Sequence, residues 1–397
     1  MLKLLLFFLV EFLFGYQFNI GGQISVGELY ILFWYILKWN ELKKQSPFKE
    51  LWRLYLTLIM AQIFSEFFVS NGLINSLRGI MVTVFSLLHV SFLIYHVNIS
   101  SRYLVAMFAA AGLSILFFIN PEEASIQSVL EGENAAFVKM RIAPMLGCLA
   151  AAISIYMSSI INVIIFVFLG AALVVLGARS GGMFMIITGV LGYLLSKGKR
   201  IRFTSPLFII ALILCYFMYV LYVDAVLSGT VQSGNNHQLL DLSNPYNPLE
   251  LLVRGRGEFF VGITAFIDEF WLGHGAWAMD TTRKYWRLLA EIHGGVYYSG
   301  LGTIWMPVHS VFLGWGVYNG VLAFLAGIRI VFKYIKMGFK AFKWINRTPY
   351  IYILAYSITA FLWNGLFSPP SHFRLTLPVF MAGIYFCYSR SFKSKGI

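Results

Sequence analysis

Charge is what this chain has least of. Only 12% of its 397 residues are charged, about half the share of a soluble domain. The acidic sign is the scarcer, with 17 Asp and Glu against 30 Lys and Arg. Cysteine is rare too: Cys148, Cys215 and Cys387 all lie inside apolar runs and point to neither a disulfide framework nor a metal site. The chain has no zinc-ligand spacing, no Gly-rich nucleotide loop and no Gly-x-Ser-x-Gly elbow. That disfavours soluble-style nucleotide hydrolysis, and with it primary active transport. There is no internal repeat and no low-complexity tract, so residues 1–397 read as a single integral membrane domain.

What fills the chain is apolar sequence, 59% of it, with a mean hydropathy of +0.75. It comes in runs of bilayer-spanning length, near 2–17, 22–38, 50–69, 73–95, 101–119, 142–158, 160–177, 181–196, 204–224, 308–332, 349–367 and 375–389. The expected fold is therefore an all-α polytopic membrane protein of about 12 transmembrane helices. The first run is expected to be a retained helix, because Glu11 interrupts it and no small-x-small cleavage site follows.

Basic residues set the expected orientation. Lys38, Lys43, Lys44 and Lys49 form one cluster, Lys197, Lys199, Arg200 and Arg202 a second, Lys333, Lys336, Lys340, Lys343 and Arg347 a third, and Arg390, Lys393 and Lys395 the last. Counting twelve spans puts all four on one face, so both termini are expected in the cytoplasm. The formal charge of +13 then follows from topology and from attraction to anionic membrane lipids. Nucleic acid is not an expected partner, since no soluble basic module exists to bind it.

One long polar interruption breaks the pattern, from Asp224 to Pro307, giving an expected outer loop over 225–307 between the ninth and tenth spans. Its first part, Ser233 to Pro248, is rich in turn formers. Phe259, Phe260, Ile263, Phe266, Ile267 and Phe270 then recur at helical spacing, which predicts an amphipathic helix near 257–270, lying at the interface or packed on the bundle. A smaller acidic excursion, about 120–140, carries Glu122, Glu123, Glu131 and Glu133.

Arginines gather on the expected outer side: Arg141, Arg179, Arg254, Arg256, Arg283, Arg287 and Arg374, with Lys139 and Lys284. Their planar forks bind phosphate oxygens bidentately and stay charged at any pH. Arg283 and Arg287 read as solvated charges facing nearby acids. Arg179 sits in the hinge Gly177-Ala-Arg179-Ser180-Gly-Gly, where an arginine at membrane depth favours a polar cavity over snorkelling. Arg254-Gly-Arg256-Gly precedes a helix N-terminus, a plausible anion cradle. His309, at the start of the tenth span, suits acceptance of a proton from a hydroxyl or its orientation, with Ser310 beside it. His274, His293 and His372 are weaker rivals; His89 and His96 fall at the wrong depth. Arg78 fits a cavity or a structural ion pair equally.

Together these features resemble the bacterial O-antigen polymerase and O-antigen ligase superfamily. Ala178-Arg179-Ser180-Gly181, followed by an apolar span and Lys197-Gly-Lys-Arg200, is similar to its first signature. Gly255-Arg256, a helix and Trp271-Leu-Gly273-His274-Gly275 are similar to the second. Pro307-Val-His309-Ser310, with Trp315-Gly316 and Gly320 following, is similar to the third. The resemblance runs from about Arg141 to the end of the tenth span. It implies a substrate glycan carried on undecaprenyl diphosphate, held by Arg179 and Arg256, with Arg254 and Arg141 also expected to contribute. It implies His309 as the catalytic histidine, and metal-independent, cofactor-free, inverting glycosyl transfer at the periplasmic face of the inner membrane. Ser310, His274, His372 and Arg374 are candidates for positioning the acceptor. A flippase and a chain-length regulator are the implied protein partners. The Pro-Val-His-Ser form favours a polymerase over a ligase. Outside the family, a secondary transporter or flippase and a non-enzymatic assembly or sensor protein are the competing classes.

Overall fold

The computed structural model describes residues 1–19, 22–118, 137–197, 206–230, 239, 242–292, 305–343, 345 and 348–393. The acidic stretch 122–133, the turn-rich 233–237, His293, Arg347, Lys395 and the basic Lys199-Arg200-Ile-Arg202 lie outside them. The described residues are about 79% helical, with a single two-stranded ribbon among them, consistent with an all-α protein.

Every expected apolar run is occupied by a helix, though with shifted ends. α1 is Leu2–Phe12, α2 Val26–Leu42, α3 Ser46–Phe68, α4 Leu73–Ile99 and α5 Ser101–Phe117. A π-helical turn, Val138–Ile142, leads into α6, Ala143–Ile153. α7 is Ser159–Val175, α8 Arg179–Ser196 and α9 Pro206–Leu227. The long polar segment contributes α10, Pro248–Gly255, α11, Gly257–Asp268, and α12, Lys284–Ile292. α13 is Val311–Phe342, α14 Ile351–Phe367, α15 the short His372–Leu375, and α16 Leu377–Lys393.

Among the described residues, three helical segments are long and apolar enough to cross a membrane: Leu73–Ile99, Val138–Tyr156 and Val311–Phe342. Three shorter ones, Ser101–Phe117, Ser159–Val175 and Ile351–Phe367, are apolar as well. The first expected span, 2–17, is only partly helical. α1 has 11 residues, about 16 Å, roughly half a hydrocarbon core. After it the polar Gln17–Asn19 (β1) pairs antiparallel with Gln23–Ser25 (β2). Apolar side chains also face outward in bulk. On α7, Ile160, Ile164, Phe168 and Val175 are all more than half exposed, an outer surface that suits lipid rather than water.

Small residues and one buried polar set fix the packing. Gly170 of α7 and Gly182 of α8 press against each other's helix, since a Cβ on either would lie within 2.6 Å of the other's carbonyl oxygen. Such close approach is how apolar helices associate without a hydrophobic driving force. Near the N-terminal ribbon, Ser25 and Glu28 form a reciprocal capping box at the start of α2. The Glu28 carboxylate also takes Arg374 Nη1 at 2.8 and 3.1 Å, while Arg374 Nη2 donates to the Gln23 carbonyl. His89 of α4 bridges the Arg374 carbonyl and the Glu11 carboxylate, each at 2.9 Å.

α13 is a broken helix. Asn319 (φ −131°) and Gly320 (φ 72°) interrupt it, freeing backbone groups that an apolar surrounding cannot satisfy. The segment after α11 supplies the partners. His274 N donates to Val317 O, Gly275 N to Tyr318 O, and Val321 N to Phe270 O, at 2.8–2.9 Å. Gly320 permits the contact: a Cβ there would stand 2.1 Å from the Trp271 carbonyl oxygen. α3 clamps the segment from the other side. Ser65 Oγ donates to Leu272 O, and Glu66 Oε1 accepts from Ala276 N at 2.6 Å and from Asn319 Nδ2 at 2.9 Å. The two glycine-bearing motifs, far apart in sequence, therefore form one latch.

α11 lies within the expected 257–270 and packs on α13 and α12. Its buried stripe is Val261, Gly262, Ala265 and Phe266, while Ile267 is exposed.

Candidate functional site

Arg179 is the first residue of α8 and follows a tight turn in which Gly177 takes φ 91°. Its guanidinium lies 5.4 Å from the centre of the Tyr222 ring on α9. Beside it, Gly181 abuts Ala143 at the start of α6, which brings the Lys139–Arg141 turn to the same end of the bundle. Arg141 Nη1 donates to the Leu116 carbonyl of α5 at 3.3 Å, and its guanidinium stands 5.7 Å from the Phe137 ring.

Arg256 occupies the junction between α10 and α11, where its backbone is neither helix's. Its guanidinium stacks over Trp363 at 4.8 Å and Phe367 at 5.3 Å, both on the last turns of α14. Trp363 also meets Phe184 of α8 at 4.5 Å. Trp363 thus ties the helix that starts at Arg179 to the loop that carries Arg256. Such cation–aromatic contacts orient a guanidinium without consuming its N–H donors.

His309 sits two residues before α13, in an irregular segment whose Met306, Pro307 and Val308 are buried. The imidazole is exposed at its own surface yet walled by protein at longer range. That desolvation lowers its pKa from the ordinary value; Glu258 opposes the shift, while Arg256 and Lys139 add to it. The neutral form is therefore the resident one near pH 7. These same influences locate Arg256, Glu258, Lys139 and His309 in one neighbourhood.

His372 belongs to the turn between α14 and α16, and the field of His309 reaches it. Burial first, and His309 second, push its pKa down to about 4. Its Nδ1 is engaged with Thr376 Oγ1 at 3.0 Å.

The other sequence candidates have structural partners. Ser310 caps α13 by accepting from Leu313 N, and its hydroxyl donates to Gly365 O; it is fully buried. His274 donates from Nε2 to the Ala265 carbonyl at 2.9 Å, within the latch. Arg374 is committed to Glu28. Arg254, in the last turn of α10, acts on Glu250 one helical turn earlier. Arg78 Nη1 donates to Asn75 Oδ1 at 3.4 Å, one turn earlier on α4. Among the described residues no three His, Cys, Asp or Glu side chains gather to hold a metal ion.

Glu258 and Trp363 join the neighbourhood without having been singled out from the sequence as functional, alongside Lys139 from the outer-face basic set. In the sequence Glu258 is one of the acids facing the outer arginines, and Trp363 lies in an apolar run. Only the placement of Arg256 as the residue capping α11 could have pointed to Glu258, in that helix's first turn. No protein-family model matches the chain, and no curated protein matches it.

Proposed function

We propose that the chain is an O-antigen or related polysaccharide polymerase, a glycosyltransferase of the bacterial inner membrane with about twelve spans. Both termini face the cytoplasm and segment 225–307 faces the periplasm. Its substrates are saccharide repeat units linked to undecaprenyl diphosphate. One observation carries the reading: Arg256 lies over Trp363, which meets Phe184 edge to face on the helix that begins at Arg179, and His309 stands in the field of Arg256.

In the proposed reaction a hydroxyl of the acceptor saccharide attacks the anomeric carbon of the donor. The new C–O bond forms as the bond from that carbon to the diphosphate oxygen breaks, and undecaprenyl diphosphate leaves with the electron pair. One displacement inverts the anomeric centre. Neutral His309 accepts the hydroxyl proton. Arg256 and Arg179 offset the charge that develops on the leaving diphosphate, an electrostatic contribution. Twelve spans keep the four basic clusters on one face, which supports the orientation.

Deletion of the gene, complemented with wild type or Arg256→Ala, tests the reading on a gel of lipopolysaccharide or capsule. Loss of polymerase leaves single repeats attached to core, and Arg256→Ala reproduces that pattern. Unattached lipid-linked chains would identify a ligase that transfers glycan to lipid A-core. Unchanged glycan in the deletion strain would sink both. Transfer by purified protein is expected to survive EDTA, and strict metal dependence would refute the metal-free scheme.

A further inference from the structure

Trp277 is held where tryptophan is least at home. Its φ is 54°, a left-handed conformation that a bulky side chain adopts only under constraint. The constraint is visible on both sides. Ala276 N donates to Glu66, and Asn71 Nδ2 donates to the Ala276 carbonyl at 3.2 Å. Met306 N donates to the Ala278 carbonyl, and Met279 bridges to Trp305. Ala276 and Ala278 are buried, yet Trp277 between them is 42% exposed. Core packing therefore does not explain the side chain, and the backbone would be served better by glycine.

The ring meets that of Trp305 at 5.9 Å and 79°, so the two indoles form a corner rather than a flat patch. Trp305 is 39% exposed, and its carbonyl accepts from Trp286 Nε1 at 2.8 Å. From Trp305 the chain runs through three buried residues to exposed His309. Four residues span at most about 14 Å. The aromatic corner is thus one end of a short, anchored segment whose other end is the proposed proton acceptor.

We propose that Trp277 and Trp305 form a saccharide-binding platform, on which a pyranose of the glycan chain held beside His309 packs its C–H face. The proposal rests on the glycosyl-transfer reading and adds a sugar subsite away from the diphosphate. A pyranose presents an apolar C–H face edged by hydroxyls. The negative face of an indole attracts those C–H bonds. A tryptophan that merely anchors a protein at the lipid interface needs no imposed backbone conformation, whereas a stacking platform needs a fixed ring. The loop that carries Trp277 is itself pinned by polar contacts: buried Asp280 accepts from Tyr285 N, Trp286 N and Thr282 Oγ1, and Asn71, in the turn between α3 and α4, donates to the His274 carbonyl.

The test uses full-length protein in nanodiscs labelled with 5-fluorotryptophan. The probe is the phosphate-free oligosaccharide released by mild acid from the host's own surface polysaccharide. The fluorine resonances of Trp277 and Trp305 are expected to shift saturably, while that of Trp271, 75% exposed on the latch, stays put. Trp277→Gly suits the left-handed backbone and should fold normally. It should weaken saccharide binding about three- to tenfold, the contribution of an aromatic contact, and shorten the glycan chains in the complemented host. Arg256→Ala should abolish elongation but leave the resonance shifts intact. Resonances that ignore the oligosaccharide, or follow only the lipid composition of the disc, overturn the platform even if Arg256→Ala still stops elongation. Shifts that persist while Arg256→Ala elongates normally would instead overturn the glycosyl-transfer reading and leave a sugar site.

Discussion

Replacing Arg374 by alanine leaves the Glu28 carboxylate, itself fully buried, without its two charge-assisted hydrogen bonds. Removing one member of a buried pair costs about 3–5 kcal/mol, so Arg374→Ala should lower the thermal midpoint in detergent strongly. Arg374→Lys should rescue little, because one ammonium cannot meet both the carboxylate and the Gln23 carbonyl with the geometry of a fork. At His309 the signs are opposed and separable. Glu258 holds its pKa up and Lys139 holds it down. Activity that needs the neutral imidazole fails as pH falls through that pKa, so Glu258→Gln should move the acid limb of the rate profile to lower pH. Lys139→Met should move it to higher pH. Limbs that do not move, or move together, would remove His309 from the proton path. Arginine chemistry was readable from the sequence, but not its use: Arg256 and Arg374 look alike there, and only the tertiary neighbours, an aromatic shelf for one and a buried acid for the other, separate them.

The broken α13 sets the rules at the level of elements. Gly320→Ala asks a left-handed backbone to accept a Cβ that would overlap the Trp271 carbonyl. The strain alone is worth about 1–3 kcal/mol, and the clash adds displacement of the latch. Limited proteolysis should then cut faster in the 271–276 segment than in the wild type, where Leu272, His274, Gly275 and Ala276 are held by backbone hydrogen bonds. Much of the element pattern was legible because apolar runs and helical periodicity are local properties: α11 falls inside its expected 257–270, and each apolar run holds a helix. The break was not legible. Asn319 and Gly320 lie in an apolar run, and hydropathy records side chains rather than whether the backbone stays hydrogen-bonded. The end of the first span was overread for a related reason: its leucines and phenylalanines outweighed Gly15 and Gln17, in the stretch where the helix gives way to the ribbon.

For the whole molecule the outward-facing apolar side chains decide what the solvent is. Phe168 of α7 is 71% exposed. In water Phe168→Arg would be harmless or helpful. In a bilayer core an arginine costs about 2.5–3.5 kcal/mol, so the variant should accumulate poorly in membranes, whereas Phe168→Leu should not. Full accumulation of the arginine variant would count against the surface being lipid-covered. The candidate site draws on α8, α11, α13 and α14 and on the turn before α6, which is why its neighbourhood could be proposed from motif order but not assembled without the fold.

The latch also dictates an order of manufacture. A helix with a gap in its hydrogen bonding is a poor passenger for a bilayer, because each orphaned backbone group costs several kcal/mol there. Every group that closes the gap in α13 comes from earlier in the chain: Glu66 on α3, then Phe270, His274 and Gly275. When the ribosome delivers Asn319 and Gly320, their partners already exist. A permuted gene that placed segment 242–292 after α13 would encode the same contacts yet send the broken helix into the membrane before its splint had been made.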